Sequence, residues 1–210
     1  MNLLATLKRA PLFAQPPMAI AINVVVYVCF LLIVFAVIAD FRAYYRQSRD
    51  VVRADRSWVE TGSMTGFFVI YYLAIRLRLL VVAVPDPWRT AAIVAGLVLM
   101  VAGAVFNVLG RVYLKSNWAN QIKIYEGHWL VTEGPFAVVR HPLYASLICM
   151  FVGGSLIYAN VASLLLALGI FVPMMYVRAR KEDALLEEAF GEQFDAYAHR
   201  TGMLFPRPPR

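Results

Sequence analysis

"LYASLICMFVGGSLIYANVASLLLALGIFVPMMYV", residues 143–177, is two apolar runs parted only by Ala159–Asn160. Neither run, 143–158 or 161–177, alone reaches the roughly 20 residues that cross a hydrocarbon core comfortably. A two-residue junction leaves room for a tight turn and nothing more, so the pair reads as a helical hairpin, with one helix tilted or entering partway. Pro173 should kink the second helix, since it removes a backbone donor inside it. The whole chain has the same character. Of its 210 residues 61% are hydrophobic and 16% charged, against roughly 45–50% apolar, glycine included, in soluble domains. A chain of this size cannot hide so much apolar surface from water, so its solvent is lipid.

Three more apolar runs precede the hairpin, at about 18–39, 64–84 and 88–109. Lys8 and Arg9 ahead of the first give it the outline of a signal peptide. That run is too long for a cleavable h-region and lacks a small-residue cleavage site, so it reads as a membrane helix. The expected fold is an all-α integral membrane protein of about five transmembrane helices. Residues 1–110 hold three spans, and 111–210 hold a loop, the hairpin and a C-terminal tail. Lysine and arginine divide unevenly across such a layout. Fifteen, from Arg42 to Arg56, Arg111 to Arg140 and Arg178 to Arg210, fall on one side, and Lys8, Arg9 and Arg89 on the other. The positive-inside rule then puts the N-terminus outside and the C-terminus in the cytoplasm. Arg76 and Arg78 fall near the middle of the 64–84 run, where each costs roughly 2.5–3.5 kcal/mol. They either line a polar cavity or snorkel from a shifted span.

The tail, "VRARKEDALLEEAFGEQFDAYAHRTG" (177–202), repeats Leu185, Leu186, Phe190, Phe194 and Tyr197 at helical spacing, with acidic residues between. It reads as an amphipathic helix leaving the last span, with a bend at Gly191. The net charge of +7 forms no single basic stripe and no zinc-finger or RNP-like pattern accompanies it, so nucleic acid is not the expected partner. Cys29 and Cys149 sit inside apolar runs without metal-ligand spacing, which predicts small buried hydrophobes, no disulfide and no metal site. GxGxxG, the P-loop, HExxH and GxSxG are all missing, so a cofactor would have to be held by helix ends and loops.

Two clusters face the same side. In "HWLVTEGPFAVVRHPLY" (128–144), Gly134–Pro135 makes a turn and Pro142 suits the first turn of a helix. His141 and Tyr144, three apart, share a helix face. In "RARKEDALLEEAFG" (178–191), Arg178 and Glu182 are four apart. A hairpin would bring Arg140, His141, Tyr144, Arg178 and Glu182 together. Residue by residue, each also has a plain reading: interfacial anchors, an aromatic belt and a solvated ion pair.

Taken together, the two stretches, in this order around a helical hairpin and closing on "EQFDAYAHRTGMLFP", resemble the isoprenylcysteine carboxyl methyltransferase family. That is a group of integral-membrane enzymes using S-adenosylmethionine and related to phospholipid methyltransferases. The likeness covers about 110–206; the N-terminal half shares only its membrane spans. It implies that His128, Leu130, Val131 and Gly134 line the cofactor, with Gln121 as a further contact. His141, Pro142 and Tyr144 would meet the cofactor from the start of the fourth span, and Glu182 from the acidic helix. Arg140 and Arg178 match arginines that orient the acceptor carboxylate or the reacting groups, and so stand as catalytic candidates. Two departures are visible: Glu182–Asp183 in place of two glutamates, expected to be harmless, and Ala145–Ser146 where glycine is frequent, which could reshape an acceptor tunnel.

The implied reaction is in-line displacement at an activated methyl, yielding S-adenosylhomocysteine, so alignment is the main requirement. A carboxylate or thiolate acceptor needs no base. An amine would, and Glu182 or His141 are then the candidates. Residues 111–210 become the cofactor-binding region and 1–110 the acceptor side, the acceptor being a lipophilic or lipid-modified molecule that enters from the bilayer. The alternatives are a phospholipid N-methyltransferase, a small-thiol S-methyltransferase, an NADPH-dependent sterol-type reductase and a non-catalytic membrane scaffold. Oligomeric state is not legible.

Overall fold

The computed structural model describes residues 17–44, 51–55, 58–115, 122–125 and 129–207. The elements run α1 (Pro17–Tyr44), β1 (Val51–Asp55), α2 (Trp58–Arg76), α3 (Trp88–Leu114), β2 (Ile122–Tyr125), α4 (Pro135–Val138), α5 (Pro142–Ile157), α6 (Val161–Phe190) and α7 (Glu192–Arg200). The chain is nearly all helical. Among the described residues, the exception to an all-α reading is an antiparallel ribbon, β1 with β2, pairing Asp55 with Ile122 and Arg53 with Ile124. β2 lies against the Val172–Phe190 part of α6.

Among the described residues, three helices are long and apolar enough to cross a membrane: Pro17–Asp40, Trp88–Leu114 and Val161–Phe190. The segments Ser63–Arg76 and Pro142–Ile157 are shorter apolar helices. At 1.5 Å per residue the 16 residues of α5 reach only about 24 Å, less than a ~30 Å hydrocarbon core. The second apolar run also ends earlier than its hydropathy indicates. The helix stops at Arg76, and residues 77–80 form a turn in which Arg78 and Leu80 take φ of 55° and 50°. Arg76 therefore sits in the last helical turn and Arg78 beyond it, not in mid-span. Val81 pairs with Asn160 across a short bridge, Val82 N–H donating to Ala159 O and Val161 N–H to Leu80 O. Backbone bonding to the 158–161 turn thus overrides an apolar composition that would otherwise carry the helix on.

α5 and α6 are joined by that turn. Asn160 caps α6 by accepting from Ser163 N–H at 2.7 Å, while its amide donates to Ala74 O at 3.1 Å. Ser163 Oγ meets Ser155 Oγ at 2.9 Å near the turn, and Arg178 meets Tyr144 at the far end, so the two helices lie side by side. Ahead of Pro173, residues Ala167–Phe171 form a π-helical turn. A proline has no N–H to give the preceding turn, and a π segment is one of the ways a helix absorbs that loss.

Two apolar clusters hold the bundle. Phe67 and Tyr71 of α2 pack with Ile148 of α5 and with Phe171, Met175 and Ala179 of α6, Phe67 stacking on Phe171 at 4.6 Å. Cys29 of α1 packs with Met100 and Ala104 of α3 and with Met150 and Ile157 of α5. Cys29 is buried and Cys149 only half-buried. α3 presents a stripe of small residues, Gly96, Gly103, Ala104 and Gly110, to its neighbours, which lets backbones approach closely where lipid supplies no hydrophobic drive. Arg89 closes the end of α5 by donating to the carbonyls of Leu156 and Ile157.

Candidate active site

The site is assembled by the return of the C-terminus. α6 ends at Phe190, Gly191 turns with φ 50°, and α7 begins at Glu192. Past α7, Gly202 pairs with Val139: Arg140 N–H donates to Gly202 O at 2.8 Å and His141 N–H to Met203 O at 3.1 Å. Tyr197 OH donates to Phe136 O at 2.7 Å. The segment before α5 is thus clamped by the tail before its side chains are considered.

Arg140 completes the clamp. Its Nη2 donates to Asp183 Oδ2 at 2.8 Å, its Nε faces both carboxylate oxygens at 3.3 Å, and its Nη1 donates to the carbonyls of Ala198 and Thr201. The guanidinium lies over the Phe194 ring at 5.9 Å. With side chains 11% and 12% exposed, Arg140 and Asp183 form a buried pair. The fork expected to hold an acceptor carboxylate already holds Asp183 and the tail.

His141 is the next residue and only 4% exposed. Its carbonyl starts α5 by accepting from Tyr144 and Ala145 N–H. Its ring lies between consecutive carboxylates, Nε2 2.8 Å from Asp183 Oδ1 and Nδ1 3.3 Å from Glu182 Oε2. Burial by itself would pull the imidazole below its ordinary 6.5, but hydrogen bonds to Asp183 and Glu182, together with their charges, raise it to about 9. At neutral pH the ring is therefore a cation donating from both nitrogens. It stands at the N-terminus of α5, where the helix dipole opposes a positive charge, so the two carboxylates are what make the arrangement tolerable. Both ring nitrogens of His141 are thus taken up by carboxylate partners in this arrangement.

Tyr144, one turn on, stacks on His141 with centroids 5.5 Å apart and rings 10° from parallel. Its hydroxyl donates to Glu182 Oε2 at 2.9 Å and accepts from Arg178 Nε at 3.0 Å. Arg178 lies over the same ring at 5.8 Å and reaches Met64 Sδ at 3.5 Å. Arg140, His141, Tyr144, Arg178 and Glu182 thus converge, as a hairpin layout predicts. Glu182 is the open edge of the cluster, its side chain 36% exposed.

The remaining candidates are placed differently. Pro142 is buried against Gly110 of α3. Gly134 turns with φ 58°, a conformation that favours glycine, and a Cβ there would meet the exposed Tyr113 ring at 2.6 Å. Leu130 and Val131 are half-buried on the irregular stretch leading to Gly134 and make none of the bonds that link the cluster. Gln121 and His128 lie outside the described residues. Ser146 is fully buried and bonded to Asn107 of α3 at 2.7 Å, so it serves helix packing. Asp183 is the partner that sequence reading passed over. The signal was available: a buried Arg140–His141 pair requires more than one carboxylate, and Glu182 has a neighbour of that kind.

Residues 91–193 match the family described as PEMT, phospholipid methyltransferase. The matched stretch is just under half of the chain, and both arms of the cluster, 140–144 and 178–183, lie within it. The chain is 38% identical over 125 residues to the nickel-cobalt-cadmium resistance protein NccN of Alcaligenes xylosoxydans xylosoxydans, covering 58% of this chain and 54% of that protein. It is 35% identical over 112 residues to the cobalt-zinc-cadmium resistance protein CzcN of Cupriavidus metallidurans, covering 53% and 49%. It is 28% identical over 108 residues to protein-S-isoprenylcysteine O-methyltransferase B of Arabidopsis thaliana, covering 50% and 55%. The chain spans about half the length of these relatives. Among the described residues, no group of three or more His, Cys, Asp or Glu stands where it could hold a metal ion.

Proposed function

We propose that this chain is a membrane-embedded methyltransferase that moves a methyl group from S-adenosylmethionine to a lipophilic acceptor, most readily a carboxylate of the kind an isoprenylcysteine carries. The observation that carries this reading is the Tyr144–Glu182–Arg178 cluster with doubly held His141 beneath it, set within a methyltransferase family domain.

The donor set suits the cofactor. S-adenosylmethionine, when bound, supplies a methyl group already activated on a sulfonium. A carboxylate on a side chain about one third exposed, Glu182 beside Tyr144, is chemistry that favours a cation and can accept from ribose hydroxyls or an ammonium group. Leu130, Val131 and Gly134 would line the approach, and Gln121 and His128 would add contacts. Arg178 is the guanidinium at the edge of the cluster, and its planar fork suits an acceptor carboxylate. Arg140 acts behind it by holding Asp183 and the tail.

His141, held as a cation by two carboxylates, keeps both of them oriented and takes no proton from the acceptor. That favours an acceptor which needs no deprotonation. The family's description favours a second reading, N-methylation of a phospholipid amine, in which Glu182 would have to take the proton. The layout we propose has five spans, α2 and the α5–α6 hairpin completing the three long helices. The N-terminus lies outside and the site faces the cytoplasm. Residues 1–110 form the acceptor side and 111–210 hold the cofactor.

Calorimetric titration of S-adenosylhomocysteine into detergent-purified protein tests the reading, wild type beside Glu182→Ala. Micromolar binding weakened by the substitution supports it, and a labelled-methyl assay with prenylcysteine, phosphatidylethanolamine and small thiols then separates the acceptors. Folded wild-type protein that binds no S-adenosylhomocysteine would sink it.

A further inference from the structure

The C-terminal half of α3 meets the start of α5 at successive turns. A Cβ on Gly103 would lie 2.8 Å from Ser146 O, and one on Gly110 would lie 3.2 Å from Leu143 Cδ2. Between them Asn107, with no exposed surface, donates from Nδ2 to Ser146 Oγ at 2.7 Å and to Leu143 O at 3.3 Å. The other side of the amide is taken as well: Arg111 Nε donates to Asn107 Oδ1 at 2.9 Å. Arg111 Nη1 in turn pairs with Asp40 Oδ2 of α1 at 2.6 Å, the side chains 11% and 13% exposed. A continuous run of polar bonds therefore joins α1 through α3 to the first turn of α5.

Helix association alone does not call for this arrangement. Small residues already give α3 and α5 close contact, and charged side chains within membrane helices are costly. What the polar run adds is a fixed register. Bonds to Leu143 and Ser146 hold the turn that carries Tyr144 and is capped by His141, and Arg111 orients the amide that makes them. A displacement there of even one ångström would part Tyr144 from Glu182 and Arg178.

We propose that Asp40, Arg111 and Asn107 are positioning residues, which set the first turn of α5 so that His141 and Tyr144 meet Arg178, Glu182 and Asp183. Their importance for cofactor binding rests on the function proposed above; their hold on His141 does not.

The test uses the full chain in detergent as wild type, Asn107→Leu, Asp40→Asn and Ser155→Ala. The last breaks a buried polar contact with Tyr71 and Ser163 at the opposite end of α5. Two quantities are read below the melting temperature: S-adenosylhomocysteine affinity, and the ¹⁵N titration of the His141 imidazole, assigned against His141→Gln. Asn107→Leu and Asp40→Asn are expected to weaken binding by about tenfold or more and to move the His141 titration toward 6.5, its ordinary value. Ser155→Ala should lower the melting temperature and leave both quantities unchanged. Folded Asn107→Leu with wild-type affinity and wild-type titration overturns the proposal. If that variant does not fold, Asp40→Asn decides by the same two readings. If wild type binds no S-adenosylhomocysteine, the functional reading falls, and the His141 titration alone decides the positioning role.

Discussion

Gly96 of α3 and Gly153 of α5 pass with their backbones in contact: a Cβ on either would stand 2.6 Å from the other's carbonyl oxygen. The contact holds α3 against α5 near the end remote from the site, while Asn107 holds it near the site. Gly153→Ala must push the helices apart, because the obstructing atom is backbone and cannot rotate away. The expected loss is roughly 1–3 kcal/mol, read as a lower melting temperature in micelles. An unchanged melting temperature would mean that the close approach contributes nothing.

Arg140→Lys keeps a charge but loses the fork that spans Asp183 and the carbonyls of Ala198 and Thr201. Breaking so buried a pair should cost about 3 kcal/mol and free the tail, so that limited proteolysis cuts after α7 earlier than in wild type. Equal protease resistance in the two proteins would contradict the clamp.

Arg178→Lys should behave differently. It leaves the Arg140 clamp intact but removes the Nε bond to the Tyr144 hydroxyl, so S-adenosylhomocysteine affinity should fall no further than in Tyr144→Phe, while kcat/KM for a carboxylate acceptor falls about tenfold or more beyond that, as expected when a bidentate partner is lost. A variant with unaltered kcat/KM would remove Arg178 from the acceptor side.

Tyr144→Phe keeps the ring stacked on His141 and deletes the hydroxyl that links Glu182 to Arg178. The expected cost is about 1–2 kcal/mol, appearing as weaker S-adenosylhomocysteine binding. Calorimetry beside wild type checks it, and equal affinity would show that the link is idle.

The His141 imidazole, raised from 6.5 to about 9 by Asp183 and Glu182, binds its proton more tightly folded than unfolded. Its contribution, on the order of 3 kcal/mol, is fully present below pH 6.5 and is lost as pH rises through about 9. Melting temperature should therefore fall between pH 7 and pH 9.5 in wild type, and His141→Gln should flatten that fall. A variant with the same slope would assign it to other groups.

Residues 143–177 read as two helices and a short turn because hydropathy and its interruption at Ala159–Asn160 are local properties; that Asn160 caps the second helix came from the structure. The spacings His141–Tyr144 and Arg178–Glu182 likewise placed each pair on one helix face. The end of α2 at Arg76 was not legible, since residues 79–84 remain apolar and the helix stops where Val81 and Val82 find backbone partners around Asn160. The β1–β2 ribbon, which joins segments on either side of two helices, was equally invisible to periodicity.

The sequence by itself determined that this chain lives in lipid, which residues turn, and which side chains share a helical face. All of these follow from residue type and from a repeat a few residues long. Only the tertiary structure decided that Arg140 clamps Asp183 across 43 residues, that His141 is shared by two carboxylates, and that Asp40 reaches α5 through Arg111 and Asn107. Those pairings depend on how closely helices approach and where the tail returns. That is set by packing between segments distant along the chain, and no local pattern encodes it.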